Sequence, residues 1–391
     1  MISPTKKGMN RRTFIKTGMA GTAAALIAPP AFADTLMQIA VSDPDTIPKL
    51  VYRTLGRTGL KVTVVSFGAM LTPEPEVIRL AIEQGVNYIN TARKYMGGKN
   101  EETVGKAVKG LRDKVFIATK VLSESRTKTE IIRDVETSLK TLGTDYIDVI
   151  QVHDPTGMEK QKIVETREAL TQLKKQGKVR FCGVTTHQNE VAVLNALADD
   201  LDQFFDTCLV KYNFKSEKAV LVAINRAAAV GVGIIAMKTQ VGGYDTTGLG
   251  ISPHQAALKW VLQNPNITAA IPGMRDLKEL KENTSVMGMP FKYADQRRLD
   301  RYAEAIDPFY CNFCGICELG CPRGVEISTI NRALMYAEGG YRDLSLARTT
   351  YADLPKHATA AACMDCEGCT AHCVNGLDIA AKLDRARTVL A

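Results

Sequence analysis

From about residue 62 to residue 290, short apolar runs rich in β-branched residues alternate with longer amphipathic runs. The apolar runs predict eight strands. They are Val64–Met70, Tyr88–Ala92, Val115–Val121, Tyr146–His153, Val179–Thr186, Thr207–Asn213, Val232–Lys238 and Thr268–Met274. The stretches between them carry helical periodicity, as in Thr129 to Leu139. Strands that each lead into a helix imply a parallel sheet. Eight such units over about 230 residues predict an α/β protein built on a (β/α)8 barrel. A doubly wound open sheet fits less well, because no glycine-rich fingerprint follows the first strand. Ahead of the barrel, Tyr52 to Lys61 reads as a hairpin whose Gly56–Gly59 turn closes the barrel floor.

Chemistry in such a barrel sits at the C-terminal ends of the strands. Asn90 and Thr91 end the second strand, and Tyr95 lies in the loop behind it. Lys120 ends the third strand and His153 the fourth. A lysine inside an apolar strand is costly unless it is paired or functional. Together these groups suit acid–base work on a carbonyl. An ammonium lowers the pKa of a nearby phenol, and a histidine orients the carbonyl oxygen.

Four segments carry a family resemblance: the Tyr52–Leu60 hairpin, Asn90-Thr-Ala-x-x-Tyr95, Ile117-Ala-Thr-Lys120 and Ile271-Pro-Gly-x-Arg275. Over about residues 51–290 the chain resembles the aldo-keto reductases. The resemblance implies an NAD(P)H-dependent barrel with an Asp-Tyr-Lys-His tetrad. It makes Tyr95 the proton donor, Lys120 its pKa-lowering partner and His153 the substrate-orienting group. Asn90 stands where the family has aspartate, which leaves either a variant that keeps some activity or an altered or lost one. The resemblance also implies NADP(H) as a cofactor. Thr185 and Thr186 stand at the carboxamide position and Met237 at the nicotinamide-stacking position. The run from Lys238 to Gly243 would wrap the pyrophosphate. Gly273 and Arg275 fall in the adenosine-phosphate segment, with Glu282 and Asn283 at the adenine.

Charge and cysteine count add what the barrel pattern leaves out. The chain has 391 residues and a net charge of +8, and residues 1–33 hold five of its 50 basic residues and no acid. Without them, 45 basic face 42 acidic residues, too even a balance for a nucleic-acid binder. Arg11 and Arg12 precede a mild apolar stretch that ends in Ala31-Phe32-Ala33. That order predicts a twin-arginine export signal over residues 1–33, and a periplasmic or otherwise exported protein. Its apolar run is too short to cross a membrane, so no transmembrane span is expected in the mature chain. Residues 34–50 read as a linker, 51–300 as the barrel and 301–391 as a second domain.

That second domain holds eight of the ten cysteines. Cys311, Cys314, Cys317 and Cys321, the last followed by Pro322, have ferredoxin spacing. Cys363, Cys366, Cys369 and Cys373 repeat it 52 residues later. The pattern predicts two [4Fe–4S] clusters; disulfides or zinc fit it less well. In two-cluster ferredoxins the fourth cysteine of each run serves the other cluster. That rule pairs Cys373 with the first three cysteines of run one, and Cys321 with those of run two. Helical patterns at Ile327–Ala337 and Ala380–Leu390 make the domain mainly helical and ferredoxin-like. Cys182 and Cys208 lie in apolar strands and read as core.

Nicotinamide passes electrons in pairs, whereas such clusters pass them singly. Two functions remain in view. One is an exported oxidoreductase acting on a small carbonyl or alcohol with NADP(H), with electrons from its clusters, or with both. The other is a one-electron transfer protein whose barrel is a docking or ligand-binding scaffold. A redox partner protein is expected in both.

Overall fold

The computed structural model describes residues 49–122, 125, 127–153, 160–244 and 252–391. The export signal and nearly all of the 34–50 linker lie outside these residues. Two antiparallel strands come first, β1 (Tyr52–Thr54) and β2 (Lys61–Thr63). Eight parallel strands follow: β3 (Phe67–Gly68), β4 (Tyr88–Asn90), β5 (Phe116–Lys120), β6 (Ile147–His153), β7 (Val179–Thr186), β8 (Thr207–Lys211), β9 (Gly233–Met237) and β10 (Ile267–Ala270). They pair in sequence order from β3 to β10. Bridges Val65↔Ala270 and Gly68↔Gly273 join the last strand to the first. Each predicted strand is present, with ends moved by up to four residues.

The helices between strands are α1 (Pro75–Glu83), α2 (Asn100–Val108), α3 (Lys128–Leu142), α4 (Lys160–Lys175), α5 (Glu190–Asp199), α6 (Lys218–Ala229) and α7 (His254–Leu262). After β10 come α8 (Leu277–Thr284) and α9 (Tyr293–Ile306). The amphipathic run at 129–139 became α3, opened by a capping box between Thr127 and Glu130. Its apolar face, Ile131, Val135, Leu139 and Leu142, is buried against the sheet's outer side.

The β1–β2 hairpin plugs the barrel floor, as its glycine turn suggested. Leu55, Leu60 and Val62 join Tyr88, Val149, Leu209 and Ile235 in one buried cluster. Gly56 has φ +48°, and a Cβ there would run into the backbone of Gly233. Only glycine tolerates both that conformation and that approach.

The tail is mainly helical: α10 (Ile327–Glu338), α11 (Leu344–Ala352) and α12 (Ile379–Val389). Its core joins Tyr310, Phe313, Ile330, Leu334, Leu377 and Leu383 to Val241 and Tyr302. Helix α9 spans both cores, with Leu299 against Ala256 and Ala257, and Ile306 in the tail. Cys182 and Cys208 are fully buried among the barrel's apolar side chains, as expected. Among the described residues no helix is long and apolar enough to cross a membrane.

Candidate active site

Strands β4, β5 and β6 lie side by side, so their polar ends meet. Lys120 is buried and donates from Nζ to Asn90 Oδ1 at 2.8 Å and to the Thr91 carbonyl at 2.9 Å. The Asn90 amide donates onward to Gln151 Oε1 at 3.1 Å. An asparagine can serve both neighbours, because its carbonyl accepts while its NH2 donates. Burial pulls the Lys120 pKa down to about 7, against a pull upward from Glu101. Although Asn90 stands at the aspartate position, a carboxylate does bear on this lysine, that of Glu101. It reaches the site from α2, where Thr119 Oγ1 donates to it at 2.6 Å.

Tyr95 opens a short turn behind β4. The Lys120 ammonium stands 4.8 Å from the centroid of its ring. Burial raises the Tyr95 pKa, Tyr336 raises it further, and Lys238 opposes both. His153 ends β6 opposite Thr185. Its side chain is outside the described residues.

The tail covers this end of the barrel. A cavity of about 440 Å3 has Asn90, Tyr95, Lys120, Met237, Lys238 and Gly273 on its barrel walls. Arg332, Tyr336 and Tyr341 close it from the tail. Lys238 Nζ donates to Tyr336 Oη at 3.0 Å and to Tyr341 Oη at 3.1 Å. Burial alone would lower the Lys238 pKa, but the two phenols outweigh it and hold the ammonium above its usual range. Burial likewise works to raise Tyr336, yet Lys238 and Arg332 prevail and pull its phenol down. Lys238 and Val241 have φ of +56° and +54°. For a β-branched valine that is strained backbone, of a kind that gathers at functional sites.

The chain matches the aldo/keto reductase family over residues 73–247 and 245–304, more than half its length. It belongs to that family. Aldo-keto reductase YhdN of Bacillus subtilis is 27% identical over 311 residues, which are 65% of this chain and 93% of the relative. A putative voltage-gated potassium channel subunit beta of Schizosaccharomyces pombe is 28% identical, covering 62% and 89%. Among solved structures, an aldo/keto reductase of Klebsiella pneumoniae in complex with NADP and acetate is 26% identical. The likeness covers 64% of this chain and 95% of that one, at a TM-score of 0.55. By family, the chain is an oxidoreductase. The match stops at residue 304, so the tail is an addition to the shared barrel.

Within this aldo/keto reductase the residues expected around a nicotinamide cofactor divide in two. At the carboxamide end, Thr185 Oγ1 is buried with no hydrogen-bond partner among the described residues. Thr186 Oγ1 donates to the Gln188 carbonyl. Met237 is buried and lines the cavity. At the adenosine-phosphate end the groups are engaged within the protein. Arg275 pairs with Glu279, and its Nη1 donates to the Gly340 carbonyl at 2.8 Å. Asn283 Oδ1 accepts from Gln240 Nε2 at 2.7 Å, and its Nδ2 donates to the Gly273 carbonyl at 3.3 Å. Glu282 accepts from Ser252. The loop expected to wrap the pyrophosphate carries the tail instead. Gly340 N donates to the Gly242 carbonyl at 3.0 Å, and Cβ atoms on Gly339 or Gly340 would collide with protein backbone. The 339–341 turn therefore packs on the loop where the resemblance placed the pyrophosphate.

The tail cysteines gather in two sets drawn from both runs. Burial pushes the Cys311 thiol up to about 12, and the charges of Cys317, Cys314 and Cys373 add to the rise. Cys363 is raised by burial, then by Cys321, Cys366 and Cys369. Cys321, Cys363, Cys366 and Cys369 also line one cavity of about 160 Å3. Backbone N–H groups of Phe313 and Asn375 donate to the sulfurs of Cys311 and Cys373. All eight thiols are free of disulfides. Among the described residues no three His, Cys, Asp or Glu side chains form a site for a single metal ion.

Sequence reasoning missed Gln151, Glu101, Arg332, Tyr336 and Tyr341. Gln151 was legible, being a polar residue inside the apolar strand Val149–His153. The tail residues were not, since nothing local says that α10 faces a barrel mouth.

Proposed function

We propose that the protein is an aldo/keto reductase-type oxidoreductase that acts on a small carbonyl or alcohol in the cavity beneath its tail. The eight tail cysteines would hold two [4Fe–4S] clusters, whose chemistry is to supply electrons singly. The observation that carries this reading is that the same tail brings the eight cysteines and closes the barrel's catalytic mouth. The crossed grouping of the thiols supports the clusters, because it is the ligand exchange known from two-cluster ferredoxins. When bound, the clusters would supply the electrons that convert a carbonyl, with two protons, to an alcohol. The side chains handle the protons. Lys238 holds the Tyr336 phenol by hydrogen bond and favours its ionised form, so Tyr336 can release a proton to a carbonyl oxygen and recover it. Lys120 and Asn90 anchor the opposite wall. Tyr95, Lys120 and His153 keep the roles that the family tetrad assigns them as a parallel proposal. A redox partner outside the chain would refill the clusters, and the residue 1–33 signal would export the protein already folded.

A second reading has specific support. The Klebsiella relative is complexed with NADP, and the unpartnered Thr185 hydroxyl suits a carboxamide. In this reading the 339–341 turn withdraws and NADP(H) binds the groove. In a third, the barrel is a scaffold, and a channel-subunit relative shows that names in this family are not all those of reductases.

One experiment separates the three. Anaerobically purified protein, reduced by dithionite and freed of excess reductant, is mixed with a reactive test aldehyde. Aldehyde-dependent reoxidation of the iron–sulfur absorbance supports the first reading. Turnover with NADPH alone supports the second. Neither, in a protein with full iron content, leaves the scaffold.

A further inference from the structure

We propose that the cavity beneath the tail takes a substrate bearing a carboxylate, and that Arg332 of the tail is the residue that receives it. This names the substrate class of the site proposed above and rests on reading that cavity as the substrate pocket.

The argument is one of charge. The cavity is lined by the basic side chains Arg93, Lys94, Lys120, Lys238 and Arg332, with His187, against two acids, Glu326 and Asp353. Two of the cations are neutralised at the edge. Arg93 pairs with Asp134 at 2.7 Å and Lys94 with Asp353 at 3.2 Å. Lys120 and Lys238 donate instead to amide, carbonyl and phenol oxygens, those of Asn90, Thr91, Tyr336 and Tyr341. Arg332 Nε is buried and has no hydrogen-bond partner among the described residues.

A buried donor left without a partner carries the full cost of its lost hydration. That cost is recovered when a ligand supplies the acceptor. Arg332 is positioned for this. It lies on the face of α10 that presents Thr329, Arg332 and Tyr336 to the cavity, three and then four residues apart. Its charge bears on the Tyr95 and the Tyr336 phenols, so it stands near both candidate proton donors. A guanidinium offers a planar fork that matches a carboxylate, which a lysine does not. A carboxylate held there would leave a neighbouring carbonyl close to either tyrosine. The tail therefore supplies recognition as well as closure.

The test uses full-length protein purified anaerobically, with pyruvate, pyruvamide and inorganic phosphate as probes in calorimetric titration. Pyruvate and pyruvamide have nearly the same shape and differ in charge. The expected result is saturable binding of pyruvate, at least about tenfold tighter than pyruvamide or phosphate. Arg332→Gln should weaken pyruvate by about ten- to a hundredfold, the loss of one charged hydrogen-bonding partner. Arg332→Lys should restore part of it, and neither variant should change pyruvamide binding. Unchanged iron content in Arg332→Gln shows that the tail has folded. Equal binding of pyruvate and pyruvamide, tighter binding of phosphate, no binding of pyruvate, or wild-type affinity in Arg332→Gln each overturns the proposal. Iron content and aldehyde-dependent reoxidation are read separately, so failure of the electron route is not confused with failure of the anion site.

Discussion

Gly340 in the tail rests directly on Gly243 in the loop after β9, with no room for even a methyl group between Gly340 and the Gly243 carbonyl oxygen. Backbone lies on backbone, and the neighbouring Gly340 N–H donates to the Gly242 carbonyl. The contact decides how the barrel mouth is used, because this loop is where the family resemblance placed a dinucleotide's pyrophosphate. Gly340→Val should push the turn away. Overpacking of this kind costs about 1–3 kcal/mol. A lower urea midpoint with unchanged iron content is the expected result. If the second functional reading holds, the same variant should bind NADPH more tightly than the wild type in a fluorescence titration.

The Lys120 environment gives a pH dependence. Its pKa is about 7 in the folded protein, below the ordinary lysine value of about 10.4. Between these values the unfolded chain holds a proton that the folded chain has released. Stability from this group therefore rises as pH climbs from about 7 towards about 10.4, and changes little below that window. Urea midpoints at about pH 7 and pH 9 should diverge less in Lys120→Met than in the wild type.

Asn90→Asp should act on the same group from the other side. A carboxylate at 2.8 Å in place of the amide oxygen favours the ammonium and raises the Lys120 pKa. It also removes the NH2 that donates to Gln151. The alkaline rise in stability should shrink, and aldehyde reduction, if the tetrad carries it, should increase. Tyr95→Phe added to Asn90→Asp should abolish that increase.

Crossing of the cysteine runs can be read from iron content. Cys314→Ala combined with Cys373→Ala removes two ligands of one crossed set and leaves the other complete. The double variant should retain about four irons and four acid-labile sulfides. If each run served its own cluster, the same pair would damage both, and iron would fall towards zero.

Replacing Arg11 and Arg12 by lysine tests the proposed export. The variant should stay in the cytoplasm with residues 1–33 attached, seen as the larger form on a cell-fraction immunoblot.

Several features could be read from sequence because they depend on local physics. Alternation of β-branched runs with amphipathic runs determined eight strands in order, since each strand must bury both faces and each helix one. Gly56 and Gly59 marked the floor turn because few other residues adopt such backbone. Asn90, Tyr95 and Lys120 stood out as polar positions at strand ends, and the barrel's parallel closure brings them to one cavity. The cysteine spacings were legible as a repeat of one four-cysteine run, 52 residues on. What the sequence alone did not determine is the meeting of barrel and tail. Tyr336 and Lys238 are 98 residues apart, and Arg275 and Gly340 are 65 apart. Neither contact leaves a periodic trace, because each side chain belongs to an element whose own pattern is complete without it. Only the docking of α10 on the barrel mouth, driven by apolar surface around Val241, Tyr302 and Leu334, decided that a tail tyrosine shares a lysine with the loop after β9. The same docking decided that a glycine turn packs on that loop and that Arg332 lines the cavity with its Nε unpartnered among the described residues.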